Sequence, residues 1–285
     1  GGFMTGDMQV VKAEESRFKW QGFPWWLVAI IGFLALMALL IATNSDYNRA
    51  FNFIRGGFGG VAGLGNGGWE DLVGTGITVT IYTTLVAFAF ALLIGLLAGL
   101  GRVNQNVVIR NVAITYIEFI RGVPTLVLIF TVAFVLVPLV SDLIGVSGQS
   151  ISTNTRGIIA LAVIYGAFLA EVFRAGIESV PHGQMEAARS LGLNSRQAMR
   201  YVILPQAIRN VLPALGNDFI AMLKDSSLVS VLAVRDITQQ ARLYAGSTFR
   251  FRESYLVLTF LYLSMTIALS LLLRWYERRL RQNAR

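Results

Sequence analysis

Long apolar runs alternate with polar links along most of this chain. A helix crosses hydrocarbon with about 20 residues. Six runs approach or exceed that length, at 25–42, 72–100, 112–140, 157–177, 211–234 and 255–273. They predict an all-α, polytopic bundle of membrane helices. Trp20, Trp25 and Trp26 fall where an interfacial aromatic belt belongs at the start of the first run. The 72–100 run opens on Thr and Gly, residues that let helices approach closely in lipid and bond across the interface. The 112–140 run is interrupted by Glu118, Arg121 and a Gly122-Val123-Pro124 break. The 235–254 stretch is polar and is expected to be partly helical at the interface.

One polar link stands apart. Residues 181–205 read PHGQMEAARSLGLNSRQAMRYVILP, far longer than most connections between elements. Pro181 cannot continue a helix and should end the fourth crossing. Gly183 allows a sharp change of direction. Residues 184–191 are good helix formers, with Met185, Ala188 and Leu191 at i, i+3 and i+6 as a narrow apolar stripe. Gly192 suits a left-handed position after the helix. Asn194 and Gln197 have capping-box spacing, so a second short helix is expected over 195–202, ending near Pro205. The bland alternative is an amphipathic hairpin lying on lipid headgroups.

Composition supports the membrane reading. The 285 residues are 55% hydrophobic and 14% charged, outside the soluble averages on both counts. There is no cysteine, which excludes disulfides, thiolate metal sites and a Cys nucleophile. His182 is the single histidine, too little for a metal centre. The net charge of +8 is better explained by basic loops that set membrane orientation than by nucleic acid. With six crossings both termini lie on one face, together with the 102–110 link and the 181–205 loop. That face carries fifteen Lys and Arg residues against seven on the other, with Arg121 and Lys224 inside crossings. The positive-inside rule then puts the long loop and both termini in the cytoplasm. The Gly-rich stretch 56–68 reads as a flexible linker. It lacks the Gly-Lys-Ser/Thr of a phosphate-binding loop, as does the rest of the chain.

The stretch GQMEAARSLGLNSRQAMRYVILPQAIRNVLPAL resembles the EAA motif of ATP-binding cassette (ABC) importer permeases. Its pattern maps onto Glu186, Ala187, Ala188, Gly192, Ile203, Leu204 and Pro205. YIEFIRGVPTLVLIF, YGAFLAEVFRAGI and LKDSSLVSVLAV resemble the branch that takes up polar amino acids such as histidine, arginine and glutamine. The resemblance covers about residues 74–274. It implies the type I ABC importer fold, with five core crossings, to which this chain adds an N-terminal one. It also implies a division into 1–70 (N-terminal segment, extra helix and linker) and 71–285 (permease domain). Gly183, Glu186, Ala187, Ala188, Arg189, Gly192 and Leu193 would form a coupling element against a cytoplasmic ATPase dimer. ATP and Mg²⁺ would be bound by that partner and none by this chain. A second permease subunit, an extracytoplasmic substrate-binding protein, an amino acid and the bacterial inner membrane complete the expected partners.

Charges within crossings call for partners or function. Arg121 is expected about 14 Å into its crossing at 1.5 Å per residue, and Lys224 and Asp225 near the middle of theirs. Either they form interhelical ion pairs, or they line the path with Tyr165, Ser226 and Ser227 and touch substrate. Glu171 and Arg174, three residues apart, should pair locally, and Glu118 and Arg121 could do the same. An ion-coupled transporter or channel is the alternative function, but no internal repeat supports it. An intramembrane protease would need a Ser-His or paired-Asp site, and Asp225 is taken as the one spanning Asp.

Overall fold

The computed structural model describes residues 25–56 and 74–282. Most of the Gly-rich stretch, the 70/71 boundary, Lys12, Arg17, Lys19 and Trp20 lie outside the described residues. The chain forms two compact units, 1–48 and 49–285, and each is described by itself.

In the first unit, α1 (Trp25–Thr43) is a uniformly apolar helix, as expected of a helix surrounded by lipid. The helix α2 (Ser45–Arg55) begins here and crosses into the second unit. It was not foreseen, although Asp46 in its first turn and Arg55 in its last match a helix dipole.

The second unit continues with α3 (Ile77–Arg102), α4 (Val107–Gly122), α5 (Thr125–Thr131), α6 (Val137–Leu143) and α7 (Thr153–Glu178). After these come α8 (His182–Ser190), α9 (Ser195–Ala198), α10 (Leu204–Asp225), α11 (Ile237–Thr248) and α12 (Phe251–Gln282). Five described helical runs are long and apolar enough to cross a membrane: Trp26–Thr43, Ile77–Arg102, Thr125–Leu143, Thr153–Glu178 and Phe251–Arg279. The expected 112–140 crossing is therefore two segments. Val123 is extended (φ −112°, ψ 139°) because Pro124 disfavours helical backbone before it. The expected 211–234 crossing is also divided. Its α-helix ends at Asp225 and tightens into a 3₁₀ segment, Ser226–Leu232, where Ser226 Oγ donates to the Leu223 carbonyl at 2.7 Å.

The centre of the bundle is α3 packed parallel to α7. Ala87, Ala91, Gly95 and Gly99 recur every fourth residue on α3 and are all buried, so one small-residue stripe faces α7. A Cβ on Gly95 would sit 2.7 Å from Leu169 Cβ. Gly95→Leu is therefore expected to force the helices apart and destabilise the unit by about 1–3 kcal/mol. Gly32→Ala meets nothing within 4 Å and should be silent. Thermal unfolding of the two variants in detergent measures the contrast.

At the end of α3 that begins at Ile77, Thr83 Oγ1 donates to Asn154 Oδ1 at 2.8 Å, joining it to the first turn of α7. Arg156 braces the same end through carbonyls of Gly148 (2.8 Å), Ile151 (3.1 Å) and Ala133 (3.3 Å). Ala133 belongs to a π-turn, Val132–Leu136, that bridges α5 and α6. In the sequence Arg156 is only one of the seven basic residues on its face.

Asp236 caps α11, accepting from the Gln239 N–H at 2.8 Å, and it is fully buried. Burial pushes its carboxyl up from the usual 3.8 to about 6, against hydrogen bonds from Gln239, Thr238 and Tyr262 that pull it down. The folded state thus holds this proton more tightly than the unfolded chain. Its contribution is fully present below about pH 4 and is lost as pH rises through about 6. Asp236→Asn keeps the cap without the charge. Wild type should lose about 3 kcal/mol relative to this variant between pH 4 and pH 7. Unfolding midpoints of both proteins across that range check this, and a pH-independent difference would refute it.

Candidate coupling surface and translocation path

The loop 181–205 folds as the sequence suggests at its centre and differs at both ends. α8 starts at His182, so Gly183 lies inside the first turn rather than at a change of direction. The redirection falls instead at Ser179–Pro181. α8 ends in a Schellman motif: Leu193 N–H donates to Ala188 (3.2 Å) and Gly192 N–H to Arg189 (3.0 Å), with Gly192 at φ +86°. The Asn194–Gln197 capping box is present in both directions, at 2.9 and 3.0 Å. The second helix does not stop at Pro205. A π-turn, Met199–Ile203, joins α9 to α10, and Pro205 sits in the first turn of α10, where its missing N–H costs nothing.

One face of α8 is held. Ala188 is buried, and Met185 packs with Val180, Ile203 and Ala207. Gln206 Nε2 reaches Gln184 Oε1 at 3.3 Å, and Asn210 Nδ2 reaches Ser179 Oγ at 2.8 Å. The helix is thus fixed to the end of α7 and the start of α10. The other face is free: Glu186, Ala187 and Arg189 are exposed. Leu191 departs from the expected stripe. It lies just past the helix and is 84% exposed, because the C-terminal turn redirects it. Its apolar tip belongs to the free surface that the sequence reading missed.

Behind α8, an ion network closes this end of the bundle. Glu171 on α7 pairs with Arg102 at the end of α3 and with Arg174 at 3.0 Å. Arg174 also pairs with Glu178. Glu118 lies 3.8 Å from Arg102, so the expected Glu118–Arg121 pair gives way to one between helices.

The residues proposed for a substrate path do not all converge. Tyr165, on α7 and 4% exposed, donates its hydroxyl to Asp225 Oδ2 at 2.8 Å. This joins the middle of α7 to the end of α10, 60 residues away in sequence. Ser226 is buried beside it and Ser227 half-buried. Lys224 points elsewhere and is exposed. Arg121 ends α4 at an exposed position, not at depth inside a continuous helix. No ion pair to Arg121, Lys224 or Asp225 occurs among the described residues. A second carboxylate, Asp218, lies seven residues before Asp225 and so shares its face of α10. It is half-buried and corrects the expectation of a single spanning Asp. The seven-residue spacing was the signal that could have found it.

A family described as "Binding-protein-dependent transport system inner membrane component" matches residues 91–282. The chain belongs to this family of inner-membrane transport components. Similar proteins include a probable amino-acid permease protein of Bacillus subtilis (strain 168), 37% identical over 74% of this chain and 94% of that protein. The glutamine transport system permease protein of Escherichia coli (strain K12) is 35% identical over 72% of this chain and 91% of its own length. A crystal structure of an amino acid ABC transporter with histidines superposes at a TM-score of 0.65, with 43% identity over 72% of this chain and 92% of that one. An inward-facing MetNI methionine ABC transporter, 21% identical at a TM-score of 0.59, shares the fold. The expected type I ABC importer architecture is therefore correct. As an inner-membrane permease of this family, the chain is the translocation subunit of an ABC importer and not an enzyme; ATP hydrolysis resides in a separate subunit.

Proposed function

We propose that this permease carries an amino acid inward and couples to a cytoplasmic ATPase dimer through α8. The observation that carries the proposal is the two-sided character of α8. One side packs against the end of α7 and the start of α10, with one bond to α10 from Gln184. The other offers Glu186, Ala187, Arg189 and Leu191 to a partner. A helix so fixed transmits a push or pull to the two helices that hold Tyr165 and Asp225. Gly192 and Leu193 form the turn that shapes this surface. ATP and Mg²⁺ belong to the partner, since the chain has no phosphate-binding loop.

The excess of basic residues on the α8 end supports placing that loop and both termini in the cytoplasm. A second permease, identical or related, would complete the path, and an extracytoplasmic binding protein would deliver substrate at the opposite end. The amino-acid assignment rests on what the relatives transport and on carboxylates along the path. Asp225, oriented by Tyr165, with Asp218 on the same face, suits a substrate ammonium group. Transport is then a shift between two packed states, biased by closure and separation of the ATPase dimer. Expression with the partner ATPase, followed by co-purification and ATP-dependent uptake of labelled amino acids into vesicles, tests the proposal. Absence of both association and uptake would overturn it.

A further inference from the structure

A groove of about 290 Å³ lies on the bundle between α10 and α12. Gly216 and Ile220 form one wall, and Leu269, Leu273, Trp275 and Tyr276 the other. Gly216 lets Leu273 pack close against α10, since a Cβ there would strike its side chain. The walls are apolar, yet Trp275 and Tyr276 remain 51% and 45% exposed. Aromatic residues of this kind mark the headgroup level of a membrane.

The groove has a charged mouth. α10 departs from the α8 loop while α12 returns toward that end, so the two helices run in opposite directions. On α10 the spacing 209, 213, 216, 220 puts Arg209 on the groove's stripe, on the α8 side. On α12 the spacing 269, 272, 276, 279 puts Arg279 on the matching stripe at the same end. The Arg279 guanidinium sits 4.3 Å from the centre of the Trp275 ring, which fixes it over the groove wall. Both arginines are exposed, and neither has a carboxylate partner among the described residues. By this spacing two cations lie toward the same end of an apolar trough.

We infer that this groove binds an anionic glycerophospholipid, with an acyl chain between α10 and α12 and the phosphodiester on Arg209 and Arg279. Basic pockets between membrane helices take acidic headgroups in this way. The inference rests on the proposed orientation, which places this end at the cytoplasmic headgroup layer. It also gives the basic end of α12 a ligand, where orientation alone had accounted for Arg279.

The test uses the intact permease–ATPase complex in detergent, with phosphatidylglycerol as probe and phosphatidylcholine of the same acyl chains as control. Native mass spectrometry reads bound lipid, and ATPase co-purification is scored in the same preparations. Wild type should retain phosphatidylglycerol over phosphatidylcholine. Arg209→Gln with Arg279→Gln should weaken phosphatidylglycerol binding about 30-fold, or about 2 kcal/mol at about 1 kcal/mol per arginine. The corresponding double Lys variant should retain it, and Ile220→Trp, which fills the trough, should lose it. Equal retention of both lipids, or unchanged binding in the Gln and Trp variants, overturns the lipid site even where the ATPase still co-purifies. A disulfide between two permease copies through Leu273→Cys would also overturn it, because a second copy would then cover the groove. Loss of ATPase association in wild type would instead count against the coupling proposal.

Discussion

Ala187→Arg is expected to abolish ATP-driven uptake while leaving the permease folded. Ala187 is exposed on the free face of α8, where a small side chain permits close approach by a partner. Forcing a large cation into a packed interface costs roughly 3 kcal/mol, on the order of 100-fold in affinity. Its neighbour provides the contrast. Ala188 is 3% exposed and lies on the held face, against the cluster around Val180, Ile203 and Ala207. Ala188→Arg should therefore damage the fold itself. The two variants separate by measuring uptake together with the unfolding midpoint. Ala187→Arg loses uptake at an unchanged midpoint, and Ala188→Arg loses both. Full uptake by Ala187→Arg would remove α8 from the coupling role.

The second large effect is expected at Asp225. Asp225→Asn should raise the KM for amino-acid uptake by about 30-fold or more, because truncating one partner of a desolvated charge pair costs at least about 2 kcal/mol. Tyr165→Phe removes the hydrogen bond at 2.8 Å and should have a smaller effect of the same sign, about 1.5 kcal/mol for a bond to a charged group. Lys224→Gln, at an exposed position on the other side of α10, should leave uptake near wild type. Initial rates of labelled substrate uptake across a concentration series measure all three. A normal KM for Asp225→Asn would contradict the carboxylate's role.

Much of this fold could be read from local pattern, because the signals are local. Apolar runs predict the crossings, Pro124 predicts the break after α4, and Gly192 with the Asn194–Gln197 box predicts the turn between α8 and α9. What stayed hidden depends on tertiary choice. The π-turn at Met199–Ile203 and the 3₁₀ segment at Ser226–Leu232 change only which carbonyl each N–H reaches, and no residue pattern dictates that. Leu191 continued an apolar stripe in sequence, yet the turn that closes α8 directed it outward. Tyr165 and Asp225 are far apart in the chain, so each could be named as a candidate but their bond could not. Arg102 looked like an orienting charge until α3 and α7 packed and brought it to Glu171.

The absence of cysteine in the chain allows a direct test of the central claim, that α8 is the surface on which the ATPase acts. Single cysteines are introduced as Ala187→Cys, Leu191→Cys and, at the opposite end of the bundle, Leu143→Cys, which is 79% exposed. A short thiol-to-amine cross-linker is applied to membranes containing the ATPase, with and without ATP. The account predicts adducts between permease and ATPase from residues 187 and 191, none from 143, and yields that change with nucleotide. Adducts from 143 as abundant as those from 187, or none from 187 and 191, would contradict it.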